Sequence, residues 1–236
     1  MRELNYIDET IEKNENPALR IGSVGRSALS TVYLMDCIEG MKQFPDKFFD
    51  LAVVDPPYGI NFAKTHTGNG WIVRESKDWD KEIPSAEYFA ELRRVSKNQI
   101  IWGANYMTEH LPPSMGWIFW DKGQRNFSLA DGELAYTSYQ RALRVFTMPR
   151  GAHKAEDDKT GGKIHPTQKP VKLYEWIFQN YAEDGNLILD THLGSMASRI
   201  AAQKAGLDFV GFEIDREYFD NGNTRFKNFV SQGVLF

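Results

Sequence analysis

The stretch Leu187-Ile188-Leu189-Asp190-Thr191-His192-Leu193-Gly194-Ser195-Met196-Ala197-Ser198 decides the fold. A short apolar run stops at an acid, a glycine turn follows, and a helix is predicted from about Ser198 to Ala205. The next strand, Phe209-Val210-Gly211-Phe212, ends at Glu213, and a C-terminal helix follows from Arg216. This is a strand-turn-helix-strand unit, which closes as a right-handed parallel crossover. Gly194 lets the backbone pass close to a ligand, and the helix behind it points amide donors at a carboxylate. Glu213 stands where an acid can accept both hydroxyls of a ribose. The dinucleotide fingerprint G-x-G-x-x-G is absent, which argues against NAD. An ordinary β-α-β unit with a glycine turn fits the same residues.

Upstream, Pro170 precedes a helix carrying Leu173, Trp176, Ile177 and Tyr181 that leads into this strand. Further strands are predicted at 31–35, 51–54, 99–102, 117–120, 134–137 and 143–146. A helix is predicted over 37–44, and another that Ser85 caps, with Phe89, Leu92 and Val95 on one face. Strands alternating with helices imply an α/β chain with a doubly wound, mostly parallel sheet covered on both faces. Residues 1–20 read as a polar arm or a capping helix. Residues 59–84 read as a long loop, a candidate mobile segment over a site, and 150–163 as a polar excursion from the core. No repeat divides the chain, and 236 residues suit one domain, 1–236.

Leu51-Ala52-Val53-Val54 runs straight into Asp55-Pro56-Pro57-Tyr58. Ligands of doubly wound sheets gather beyond the carboxyl ends of the strands. Two prolines fix the backbone here and remove two amide donors. The Asp55 carboxylate and the Pro56 carbonyl then form an acceptor pair for an amino group, and Tyr58 offers a flat face to a heterocycle. A strand ending in a Pro-Pro turn, with Asp as a turn residue, is the bland alternative.

The tetrapeptide resembles the catalytic motif of the amino-methyltransferases that modify exocyclic amines of nucleobases in DNA. Its Asp form is the one usual in adenine-N6 enzymes; cytosine-N4 enzymes tend to carry Ser. Asp190 to Met196 resembles the family's cofactor motif Asp-Pro-Phe-x-Gly-Ser-Gly. It keeps Asp190, Gly194 and Ser195 and departs at Thr191, His192 and Met196, as in a branch found among phage and phage-derived enzymes. Met196, in place of the second glycine, is expected either to crowd the methionine end of the cofactor or to close its pocket. Ile164-His165-Pro166-Thr167-Gln168-Lys169-Pro170 resembles the far wall of the cofactor pocket, with Thr167, Gln168 and Lys169 towards the methionine carboxylate and His165 structural. Asp36-Cys37 resembles the segment whose Asp accepts from the cofactor adenine; Asp36 equally suits a helix N-cap. The catalytic motif precedes the cofactor motif, which is the permuted β-class order.

The resemblance implies a Rossmann-like fold and S-adenosylmethionine as cofactor. It implies Asp55, Pro56, Pro57 and Tyr58 as catalytic residues. Asp36, Cys37, Asp55, Thr167, Gln168, Lys169, Asp190, His192, Gly194, Ser195, Met196 and Glu213 would line the cofactor. The reaction implied is methyl transfer to N6 of an adenine flipped out of double-stranded DNA, in a restriction-modification setting. Cytosine-N4 or RNA methylation on the same scaffold, and a DNA-binding relative without transfer, are the rival readings. Cys37 is not a nucleophile in this scheme, and no metal is called for.

Twenty-eight Lys and Arg stand against thirty-two Asp and Glu, so global basicity does not announce nucleic acid. Between residues 141 and 172, however, eight cations face three carboxylates. Arg141, Arg144, Arg150, Lys154 and Lys163 are therefore candidate phosphate contacts, joined by Lys64 and Arg74 of the long loop. A solvated loop of mixed charge is the alternative for these residues, and packing for Trp71 and Trp79. By position, 121–163 is the candidate target-recognition region. Its shortness makes a second copy of the chain a candidate partner. One cysteine excludes an internal disulfide, and no apolar run approaches membrane-spanning length. The expectation is a soluble protein of the bacterial or phage-infected cytoplasm, with no membrane partner.

Overall fold

The structure, a computed structural model, describes residues 7–12, 29–60, 80–126 and 130–233. Among the described residues, nine strands form one sheet: β1 Ile7–Glu12, β2 Leu29–Leu34, β3 Phe49–Val54, β4 Ser96–Trp102, β5 Trp117–Asp121, β6 Gly132–Thr137, β7 Arg144–Thr147, β8 Leu187–Asp190 and β9 Asp208–Glu213. Their spatial order is β1-β2-β9-β8-β3-β4-β6-β5-β7. Every pairing is parallel except the two made by β6.

Period-two alternation explains why the central strands read as unbroken apolar runs. Leu51, Val53, Ile100 and Trp102 enter one core with Leu173, Ile177, Ile200 and Phe226. Ala52, Val54 and Ile101 enter the other with Met41, Tyr88, Phe89 and Leu92. The first core is covered by α4 Val171–Tyr181, α5 Ala197–Ala205 and α6 Arg216–Gly233; the second by α1 Cys37–Met41 and α2 Ala86–Val95. Asp36 caps α1, accepting from the amides of Ile38 and Glu39, and Ser85 caps α2. The α1 helix is shorter than expected, because a hydrogen-bonded turn follows Met41.

Two expectations are corrected. Part of the presumed N-terminal arm is β1, whose parallel pairing with β2 extends the sheet. The polar segment 150–163 is not an excursion: Arg150–Lys159 is a helix, α3, with Glu156 and Asp157 buried. Glu156 accepts the amide of Lys172 and Asp157 accepts from Gln168, so carboxylates dock this helix where apolar residues usually would. Of the 59–84 loop, 61–79 lie outside the described residues. The 121–163 span contributes β6, β7 and α3. No helix among the described residues is long and apolar enough to cross a membrane.

Candidate active site

The sheet changes direction of winding between β3 and β8, and this is where ligands bind in open parallel sheets. Asp55 follows β3, Asp190 ends β8, Glu213 ends β9 and Asp36 follows β2. All four acids therefore line one edge of the sheet. Leu34 pairs with Glu213 and Asp190 with Gly211, which fixes their spacing.

The Asp55 turn is held from behind by a residue that sequence reasoning missed. The first two amides available after Pro56 and Pro57 belong to Tyr58 and Gly59. Both donate to Oδ1 of buried Asp80, at 2.8 and 3.1 Å. The Tyr58 ring lies against Gly103, whose φ is +66° and where an added Cβ would stand 2.0 Å from the ring. Only glycine leaves that space. Tyr106 stacks on Tyr58 with centroids 5.4 Å apart and an interplanar angle of 17°; its ring is half-exposed and carries the stack to solvent.

The Tyr58 hydroxyl donates to Asp55 Oδ1 at 2.7 Å, and Lys169 Nζ stands 2.5 Å from the same oxygen. Burial pushes the Asp55 carboxyl above the usual range; Lys169 opposes this and Glu133 adds to it. Glu133 is a second residue missed from the sequence. It contacts Lys122, Lys169 and the Tyr58 hydroxyl.

At the cofactor turn, Glu213 accepts the amides of Gly194, Ile214 and Asp215. Asp190 accepts from the His192 amide and the Ser198 hydroxyl, and burial pushes its carboxyl up to about 7. Burial pushes His192 down to about 4, so its ring is neutral; Thr191 bridges it to the Tyr88 hydroxyl. Burial pushes the half-buried Cys37 thiol up to about 12, with Asp36 adding to the shift, and this suits packing rather than nucleophilic attack.

The remaining residues expected at the cofactor have these partners. Lys169 reaches Asp55, and Gln168 donates to Asp157 and to the Gly162 carbonyl. Thr167 bonds His165, whose ring packs on Tyr218 and lies 3.6 Å from a Cβ built on Gly194. Ser195 is buried, and its carbonyl accepts from Arg225, which also holds Thr160 beyond α3. Met196 adopts φ +58°, is fully buried, and packs on Gly222 of α6 and on Arg199.

Among the candidate phosphate contacts, Arg150 begins α3 and Lys163 follows it, with Lys154 exposed between them. Burial lowers the Lys163 pKa, and neighbouring Arg150 and Lys122 add to this. Arg144 begins β7, at the opposite end of the sheet from Asp55. Arg141, just before it, donates to the Asn180 carbonyl and lies over the Tyr181 ring. Lys64 and Arg74 lie outside the described residues.

Comparison with known proteins places this architecture. The family model for DNA methylases of the N6/N4 type matches residues 135–224. The chain is 24% identical to the type II methyltransferase M.HinfI of Haemophilus influenzae over 256 residues, covering 84% of this chain and 68% of that one. The M1.HpyAVI–SAM complex aligns at TM-score 0.52 and 20% identity, over 82% of this chain and 97% of that one. The PvuII DNA methyltransferase, described as cytosine-N4-specific, aligns at TM-score 0.56 and 12% identity, over 86% and 91%. The family model and the relative agree: what the chain is similar to is the N6/N4 type of DNA methylase.

Proposed function

We propose that this protein transfers a methyl group from S-adenosylmethionine to an exocyclic amine of a DNA base, and that the base is adenine, methylated at N6. The observation that carries the reading is the Asp55-Pro56-Pro57-Tyr58 turn abutting an edge of carboxylates at the switch point of the sheet. Asp36, Asp55, Asp190 and Glu213 form an acceptor set that suits ribose hydroxyls, an adenine amine and a sulfonium cation. The same set would repel a diphosphate. The residues fit the cofactor on that chemistry.

When bound, S-adenosylmethionine supplies a methyl group whose C–S bond breaks with its electron pair remaining on sulfur. The protein's part is to accept and to place. Asp55 and the Pro56 carbonyl hold the hydrogens of the target amine, which leaves the nitrogen lone pair free to form the new N–C bond. Asp55, made more basic by burial, takes the proton that nitrogen sheds. Tyr58 and Tyr106 offer aromatic surface to a flipped base. Positioning supplies much of the acceleration in such a direct transfer. Arg150 and Lys163 at this edge are the proposed phosphate contacts.

The test is incubation with methyl-labelled S-adenosylmethionine and mixed-sequence duplex DNA, followed by mass spectrometry of the nucleosides. Labelled N6-methyladenine is expected, and Asp55→Ala should abolish it while cofactor binding survives. Labelled N4-methylcytosine would overturn the choice of base. Normal turnover by Asp55→Ala would overturn the mechanism.

A further inference from the structure

Glu133 is the second residue of β6, the antiparallel strand of the sheet, and pairs in register with Trp120 on β5. That register brings its carboxylate to the far side of the Asp55 turn. Its Oε1 accepts from Lys122 Nζ at 2.5 Å. Its Oε2 lies 3.2 Å from Lys169 Nζ and 3.3 Å from the Tyr58 hydroxyl. Lys169 is only 3% exposed and donates to the Tyr58 hydroxyl at 3.0 Å. One buried ammonium thus stands between two carboxylates, and the Tyr58 hydroxyl touches all three groups.

Among the described residues, both donors that reach Asp55 do so at Oδ1. That edge is pinned, and Oδ2 is the oxygen turned to other business. Pinning by an ammonium alone would have a cost: a full positive charge 2.5 Å away makes a carboxylate a poor acceptor. Glu133 supplies the opposing charge. It is itself fixed, because Lys122 clamps its other oxygen.

We propose that Glu133 is a positioning residue for methyl transfer: clamped by Lys122, it shares the Lys169 ammonium with Asp55, so that Oδ1 is oriented and Oδ2 is left as an acceptor for the substrate amine. The assignment rests on the methyltransferase reading above and adds a residue from outside the recognised motifs. Electrostatics agree with the geometry. Burial opposes the charge on Glu133, but Lys169 and Lys122 prevail and hold it down at about 2, while Asp55 is held up. Glu133 therefore stays ionised whenever Asp55 does.

The groups facing Asp55 are Lys169, Glu133 and the Tyr58 hydroxyl, with Asp190 and the Tyr88 and Tyr174 phenols beyond. Removing the charge of Glu133 leaves Lys169 unopposed and lowers the Asp55 pKa. Asp55 must be ionised to accept, so activity is lost as pH falls through that pKa. The acid limb of kcat therefore moves to lower pH in Glu133→Gln, although kcat itself falls.

The experiment measures kcat and KM against pH for the wild type, Glu133→Gln and Glu133→Asp, with cofactor affinity and thermal unfolding as controls on the fold. In Glu133→Gln, kcat is expected to fall by about tenfold or more, with the acid limb displaced downward and cofactor affinity unchanged. Glu133→Asp keeps the charge and is expected to return the limb to its wild-type position. A wild-type kcat in Glu133→Gln, or a lowered kcat with an unmoved acid limb, overturns the assignment alone. Absence of methylated base with the wild-type protein overturns the methyltransferase reading, and this assignment with it.

Discussion

Replacing Met196 by glycine restores the residue that the resembling motif carries, and the structure expects that restoration to harm the protein. Met196 is fully buried, and its side chain runs against Gly222, where an added Cβ would stand 2.9 Å from Met196 Cγ and 3.1 Å from Cε. Its sulfur accepts from Arg199. The side chain is thus part of the α5–α6 packing. Truncating a buried Met costs about 2–5 kcal/mol through lost burial and the cavity left behind. Glycine recovers the left-handed backbone strain at φ +58°, about 1–2 kcal/mol. The balance is a net loss of up to about 4 kcal/mol, or a drop in Tm of up to about 16 °C for a chain of this size. Thermal or urea unfolding measures it, and cofactor affinity should stay within about threefold, since the change is worth well under 1 kcal/mol at the pocket. A double-mutant cycle sharpens the test. Gly222→Ala should be destabilising in the wild-type background and much less so in the Met196→Gly background, because its methyl then fills the vacated space. A Met196→Gly protein that is more stable than the wild type, or that binds cofactor tenfold more tightly, would refute this placement of the side chain.

Three other outcomes follow from the site. Gly103→Ala should displace the Tyr58 ring that an added Cβ would meet at 2.0 Å, cutting methyl transfer by more than tenfold while cofactor binding survives; unchanged kcat would mean the ring position is immaterial. His192 has its pKa pushed below the unfolded value, to about 4, so its contribution to stability is whole above about pH 6.5 and is lost as pH falls towards 4. Asp190 is pushed up to about 7, so its ionisation erodes stability as pH rises from about 4 through 7. Urea titrations across this range should therefore show Asp190→Asn gaining on the wild type with rising pH, and a constant difference would contradict the buried carboxyl. Lys163→Ala should weaken DNA binding and reduce its salt slope by about one, whereas Arg141→Ala, at the other end of the sheet, should leave the slope unchanged.

The motifs at β3, β8 and β9 could be read from sequence because each combines a two-faced buried strand with an abrupt stop at an acid. Burial on both faces removes alternation, and glycine or proline marks where the strand ends. The same logic fails for α3, whose inward face carries Glu156 and Asp157 instead of apolar residues, so no hydrophobic period signals it. It fails also for β1, where Ile7-Asp8-Glu9-Thr10-Ile11-Glu12 is too polar to look like a strand and is ordered by backbone pairing.

The residues missed at the active site share a different cause. Asp80 and Glu133 stand 21 and 75 residues from the amide and hydroxyl they bind, and no local spacing ties either to Asp55. Their placement depends on the strand order, because Glu133 arrives only when β6 inserts antiparallel between β4 and β5. Lys169 shows a complementary limit. Its position in a motif suggested the cofactor's carboxylate and said nothing of Asp55, which its ammonium reaches in the fold. A motif indicates which edge of the sheet a side chain reaches. The partner it finds there is set by what other strands bring, and in this chain β6 brings a carboxylate that turns a simple ion pair into a shared one.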